Sequence, residues 1–483
     1  MQKLRAIFSP RDMTMGAPWK RIVEFAFPML LGNFAQQFYS STDAAVVGQY
    51  VGDNALASVG STGPIMMFMI ALFIGIANGA GILVAQAFGA RDRQGLSIAI
   101  GNCLTLTAIA SAVIMLLGTL LARPVLEALH TPREIIGDAI LYLQIYFLGI
   151  ASFTFYNVLS GILRGLGDSF SALGFLLLTS ALNIALDLWF VISFGWGVPG
   201  VAIATVIAQA VSAVLCYLKL TRMRATFDIN RHTLRLKRET VKDVLKLGMP
   251  TGITQATFSV AMLVVQRLQN SFGPVFVATA IIAMRVDGFA MMPNFSFGMA
   301  MTTFTGQNIG AGRIERAQRG ARQGTIIAVA VATLMTGAVL LFGRHIMGLF
   351  TQTEVIIETG MRLIRILAVG FIAMAVIQSL SGVMRGAGDA VTPMWISITV
   401  SVLLRVPLSY WLVALSRTAE NPLGSPEMIY YAMLVTWLAG AGASALAFRF
   451  GQWRKKARER MEGFAHLSMA KEAGSGLDFI QEA

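Results

Sequence analysis

Apolar stretches about as long as a bilayer is thick follow one another along the chain, separated by short polar breaks. A run of about 20 such residues, wound as a helix, crosses roughly 30 Å of hydrocarbon. Twelve can be placed, near 22–47, 56–86, 97–121, 138–163, 170–194, 198–218, 243–270, 276–304, 323–343, 358–383, 392–414 and 428–448. Within each run the apolarity is continuous rather than alternating, so these are not the strands of a membrane barrel. Backbone in hydrocarbon must close its own hydrogen bonds, and long uniform runs do so as helices. The pattern predicts an all-α polytopic membrane protein of twelve transmembrane helices.

The runs come in two sets. SGILRGLGDS from Ser160 nearly repeats as SGVMRGAGDA from Ser381, 221 residues later, and Gln86 recurs as Gln307 at the same spacing. Pro28 has its match in Pro250, one residue outside that register. Self-similarity at a fixed period in an apolar chain points to a transporter built from two repeats. Six helices per repeat is an even number, so each repeat starts and ends on the same side of the membrane. The two lobes are then related by a pseudo-two-fold axis along the membrane normal, and a site between them opens to alternate sides by rocking. The expected division is an amino-terminal lobe at 1–218, a basic linker at 219–242, a carboxy-terminal lobe at 243–448 and a polar tail at 449–483.

Composition agrees with lipid as the solvent: 55% hydrophobic residues, 13% charged and a mean hydropathy of +0.67, where a soluble domain carries about 25% charge. The net charge of +13 would point to nucleic acid in a soluble protein; here its distribution reads as topology. Lys3, Lys20, Arg91, Arg93, the basic run from Lys219 to Arg238, Arg313 to Arg319 and Arg454 to Arg460 fall on one side. Arg123, Arg133, Arg344 and Arg417 fall on the other. The richer side is the cytoplasmic one, which places both termini and the linker inside, in a multi-pass inner-membrane protein without nucleic-acid partners. The first apolar stretch is too long for a cleavable signal. Cys103 and Cys216 lie within apolar runs and imply no disulfide framework.

Absences narrow the chemistry. No lysine follows a glycine, so no G-K-[ST] phosphate loop is present, and His130, His232, His345 and His466 have neither metal-ligand spacing nor a helical pair. No D-x-x-x-D cluster occurs. The expectation is a transporter driven by an ion gradient, with no enzymatic activity and no cofactor. Ionisable residues inside spanning helices cost about 2.5–3.5 kcal/mol to insert and are therefore the functional candidates. Asp43 lies in the first helix and Asp187 in the fifth, with Asn183 four residues before it on the same helical face. Such a set holds a small cation such as Na⁺, or a proton. Arg285, Asp287 and Arg405 also fall in spanning segments, where structural ion pairing and substrate contact are equally open to them. At the 221-residue spacing Asp43 falls against Val264, Asn183 against Leu404 and Asp187 against Leu408, so the polar set is expected in the first half alone. Arg164 and Arg385 are expected to anchor at headgroups, and Gly165, Gly167, Gly386 and Gly388 to end helices tightly.

The whole chain resembles the multidrug and toxic compound extrusion (MATE) family of twelve-helix, two-lobed antiporters. The resemblance rests on PMLLGNFAQQFYSSTDAAVVGQYVGDNALASVG from Pro28, on AQAFGARD and GQNIGAG at the ends of helices 2 and 8, and on the doubled RGxGD turns. It implies a cation-coupling site in the amino-terminal lobe. The aspartate of helix 1 falls on Asp43 with Gln36 and Tyr39 before it, helix 4 supplies Asn157, helix 5 Asn183 and Asp187, and helix 6 Thr205. The chain departs from members with acids in the second lobe, since Gln255 takes the helix 7 position and Arg405 and Leu408 stand where a helix 11 acid is expected. The function so implied is export of amphipathic, cationic compounds in exchange for inward H⁺ or Na⁺, by a protein working as a monomer among membrane lipids. A flippase for lipid-linked saccharides is the alternative.

Overall fold

The computed structural model describes residues 11–46, 50–51, 58–129, 131–223 and 226–464, except for the side chains of 38–46 and a few others. Twelve long helical spans run through them. They are α1 (Pro18–Val46), α2 (Gly63–Gly89), α3 (Arg93–Ala128), α4 (Arg133–Leu148 and Ile150–Gly165, meeting at 51°), α5 (Ser169–Ser193) and α6 (Gly197–Thr221). The second set is α7 (Arg238–Asn270), α8 (Pro274–Gly310), α9 (Ile314–Gly348), α10 (Glu354–Gly386), α11 (Val391–Leu415) and α12 (Glu427–Phe450). Several overrun the apolar runs that predict them; α3 begins four residues before 97 and ends seven after 121, because a helix continues where its side chains reach headgroups and water.

The doubled glycine motif is a packing device as well as a turn. A Cβ on Gly161 would sit 2.6 Å from the Ala77 carbonyl oxygen, and one on Gly165 2.5 Å from that of Gly81, so α4 lies backbone to backbone on α2. Gly382 and Gly386 meet the carbonyl oxygens of Gly298 and Thr302 in the same way and seat α10 on α8. Apolar side chains gain nothing by leaving lipid for each other, so close backbone approach at small residues is what holds spanning helices together. Only Gly167 (φ +86°) and Gly388 (φ +95°) then supply the left-handed residue that ends the helix. The aspartate that follows caps the next helix. Asp168 accepts from the Ser171 amide at 2.9 Å and Asp389 from that of Thr392 at 3.2 Å. Each is also buried against a lysine, Asp168 with Lys219 at 3.5 Å and Asp389 with Lys456 at 2.7 Å. Arg164 is half-buried and donates to Ser160 Oγ at 2.7 Å, one turn back on its own helix.

The chain forms two compact units that exchange helix ends. One comprises Met1–Asp12 and Phe27–Gly252, the other Met13–Ala26 and Ile253–Ala483. The changeovers fall beside Pro28 in α1 and Pro250 in α7, where the missing N–H and the ring loosen the helix. In the first unit the start of α7 packs on α2, with Gly248 and Gly252 facing Gly75 and Gly79; a Cβ on Gly75 would lie 2.9 Å from the Gly248 carbonyl oxygen. The strand of chain before α7 is held by Asn102, which donates to the Thr233 and Arg235 carbonyls at 3.1 Å and accepts from the Lys237 amide at 2.6 Å. In the second unit the segment before α1 is held likewise. The Met13 amide donates to Gln307 Oε1 at 2.8 Å, Asn308 donates to the Met13 carbonyl at 3.2 Å and Arg313 to that of Thr14 at 2.7 Å.

Candidate ion-coupling site

α5 carries the two polar residues that matter. It starts at the Asp168 cap, packs on α1 where Gly32 lies against Leu173 and Leu176, and adjoins the second half of α4 and α6. Asn183 and Asp187 are 1% and 0% exposed. Four residues apart, they lie on one face with their Cβ atoms about 5–6 Å from each other. Directly after Asp187 the helix widens into a π turn, Trp189–Ser193. Four aromatic rings close that end: Phe190 and Phe194 stack with Trp196 at 5.1 and 5.2 Å, and Trp189 lies 5.8 Å from Phe190. Tryptophan and phenylalanine grouped at a helix end mark the level of the headgroups, so the carboxylate sits about one turn inside it.

The other expected ligands are placed less uniformly. Asn157 is half-buried on α4 and donates to the Phe153 carbonyl at 2.8 Å, which turns its amide oxygen to the outside of the helix. Thr205 on α6 donates to the Val201 carbonyl at 3.0 Å, leaving its oxygen lone pairs to accept. Gln36 is exposed on α1. The side chains of Tyr39 and Asp43 lie outside the described residues. The structure thus brings Asn183 and Asp187 together on α5, beside the helices that bear Asn157 and Thr205.

In the second unit Gln255 is exposed on α7, and Arg285 is exposed on α8 with its guanidinium 5.6 Å from the Phe350 ring. Asp287, two residues on, points to a different face; one of its oxygens is buried without a hydrogen-bond partner among the described residues. Arg405 on α11 is 2% exposed. Its Nε lies 3.4 Å from Thr436 Oγ1, and the guanidinium lies 5.9 Å from both the Phe258 and the Trp437 rings. Asp168 and Asp389 read in the sequence as turn residues, and nothing there signalled their burial against lysines. The cradle of Phe258, Thr436 and Trp437 around Arg405 was equally invisible, because two other helices, α7 and α12, supply it.

Twelve long helices in two repeated sets, with a carboxylate buried in a spanning segment, define a polytopic membrane transporter. The family model described as MatE matches residues 28–189 and 250–411, once per repeat, and the chain belongs to this family of transporters. It is 28% identical to the probable multidrug resistance protein YoeA of Bacillus subtilis, over 81% of this chain and 86% of that one. It is 27% identical to the probable multidrug resistance protein NorM of Thermotoga maritima, over 92% and 95%. Among solved structures, a MOP superfamily transporter from Pyrococcus furiosus superposes with a TM-score of 0.83 at 26% identity, covering 94% of this chain and 98% of that one.

The two matched stretches begin and end 222 residues apart, whereas the glycine motifs before α5 and α11 are 221 apart. A π turn, Thr399–Leu404, interrupts α11 after its glycine motif. The corresponding part of α5 is regular helix, and a π turn takes up one residue more than an α turn. At the 222-residue spacing of the matched stretches Asn183 falls against Arg405 and Asp187 against Ser409, where the 221-residue spacing of the glycine motifs sets them against Leu404 and Leu408. Ser409 is fully buried and donates to the Arg405 carbonyl at 2.8 Å. The second repeat keeps polar residues at these positions and inverts the charge.

Proposed function

We propose that the protein is a secondary antiporter of the inner membrane that exports amphipathic, lipophilic cations in exchange for inward H⁺ or Na⁺, with both termini cytoplasmic. The observation that carries the reading is the Asn183–Asp187 pair, fully buried in a helix that crosses lipid. A carboxylate there is costly to keep unless a proton or cation binds it in part of a cycle. Asp43 and Asp187 would hold the ion, with Asn157, Asn183 and Thr205 as neutral oxygen donors and Gln36 and Tyr39 on the turns before Asp43. The names of YoeA and NorM, probable multidrug resistance proteins, support drugs as substrates. Each positive charge that enters gains about 2.3 kcal/mol per 100 mV of membrane potential. Efflux of ethidium, a quaternary ammonium compound and a fluoroquinolone from a pump-deficient host tests the substrate range; strict selectivity for one polar metabolite refutes it. Replacing Na⁺ by choline in the same assay at fixed pH assigns the coupling ion.

A further inference from the structure

We propose that Arg405 is the anion-recognition site of the second repeat, taking the carboxylate or other oxyanion of an amphipathic substrate, so that acidic lipophiles without a cationic group are cargo alongside cations. The inference rests on the transport reading above and extends its substrate class. A guanidinium has five N–H donors and cannot shed its charge inside a protein. At 2% exposure water does not satisfy those donors, and one long bond to Thr436 satisfies one of them. The usual partner of a buried arginine is a carboxylate, and none lies within salt-bridge reach among the described residues. Among the described residues Asp389 pairs with Lys456, Glu354 with Arg344 and Glu427 with Arg362, and Asp287 on α8, with one buried oxygen unpartnered, makes no salt bridge to Arg405.

The rings that flank Arg405 do not neutralise it. Phe258 from α7 and Trp437 from α12 each lie 5.9 Å from the guanidinium carbon, and aromatic faces stabilise a desolvated cation without occupying its in-plane donors. Those donors form the fork that matches a carboxylate with two parallel hydrogen bonds. The π turn at Thr399–Leu404 ends one residue before Arg405, which the 222-residue spacing of the matched stretches sets against Asn183, beside Asp187 in the first repeat. The two repeats therefore offer opposite charges at matching places, a carboxylate for cations and a guanidinium for anions. The apolar rings beside Arg405 suit an oxyanion carried on an aromatic or aliphatic body.

The test uses the full chain in phosphatidylcholine nanodiscs with three pyrene probes: pyrenebutyrate, its methyl ester, and a pyrenebutyl trimethylammonium ion. Binding is read by energy transfer from tryptophan. Wild type should bind the carboxylate about ten- to a hundredfold more tightly than the ester, the range set by charge-assisted hydrogen bonds to a guanidinium. Arg405→Gln should erase that preference while moving the ester and the ammonium probe less than twofold, and Arg405→Lys should keep part of it. Equal binding of carboxylate and ester by wild type overturns the proposal without recourse to a variant, and so does a preference that survives Arg405→Gln. These measurements are made at equilibrium without an ion gradient. A failure of gradient-driven export would refute the antiport reading and leave the anion site standing, and the reverse holds equally.

Discussion

Replacing Asp187 by asparagine removes one charge and little else, which makes it the sharpest probe of coupling. The side chain is fully buried, the two residues are nearly isosteric, and the change lowers the cost of insertion by up to about 2.5–3.5 kcal/mol. The variant should therefore reach the membrane and melt no lower than wild type. Its deficit should be energetic. With one net positive charge moving inward per cycle, as when two H⁺ or Na⁺ enter for each monovalent substrate cation that leaves, 100 mV stores about 2.3 kcal/mol, enough to hold a substrate gradient of about fifty-fold at 1.4 kcal/mol per tenfold. Without an ion-binding carboxylate that force has no path to the substrate, and the gradient should collapse to about unity. The assay is accumulation of a fluorescent lipophilic cation by proteoliposomes under a potassium–valinomycin potential, with Ser409→Ala as the control, since Ser409 is the counterpart of Asp187 in the second repeat. Accumulation by Asp187→Asn at the wild-type plateau would refute the assignment of coupling to α5.

Asp389→Ala should lose a helix cap and the partner of half-buried Lys456 together, lowering stability by about 1–3 kcal/mol, seen as an earlier midpoint in thermal unfolding; an unchanged midpoint would show that the cap contributes nothing. Gly161→Val should drive a side chain into the Ala77 carbonyl and cost about 1–3 kcal/mol by overpacking, read as reduced yield of monodisperse protein, whereas Gly137→Val, with open space beyond its Cα, should be neutral. Single cysteines at exposed His232 and Glu420, in a background lacking Cys103 and Cys216, should label from opposite sides of the membrane, and labelling of position 232 from outside intact cells would overturn the proposed orientation.

The helices were legible in the sequence because apolar length is a one-dimensional signal, and the repeat was legible because RGLGD and RGAGD survive almost unchanged. Asn183 and Asp187 were legible as a pair because a spacing of four fixes a shared face whatever surrounds it. The register of the second half differs by one residue between the glycine motifs and the matched stretches. A spacing read from the glycine motifs carries no sign of a later insertion, and a π turn leaves the hydrophobic pattern of a lipid-facing helix almost undisturbed. Arg405 stood out in SVLLRVPL, but its surroundings did not: Phe258 lies 147 residues before it, and tertiary packing alone brings the ring to its guanidinium.

The exchange of helix ends at Pro28 and Pro250 fixes the order in which the molecule can be finished. Residues 13–26 belong to a unit whose other members begin at Ile253, so the first part of α1 leaves the ribosome more than two hundred residues ahead of every partner it needs. At roughly 5–20 residues per second that is a wait of about ten to fifty seconds. During it Met13, Thr14 and the buried faces of Ile22 and Phe25 have only lipid, water or a chaperone to meet. The first unit is in turn incomplete until Gly248 and Gly252 arrive to cover Gly75 and Gly79. Neither half can be made, tagged or transplanted as a free-standing module: a chain cut in the linker deprives each unit of a piece that the other fragment carries, and the two fragments must find each other in the bilayer before either is whole.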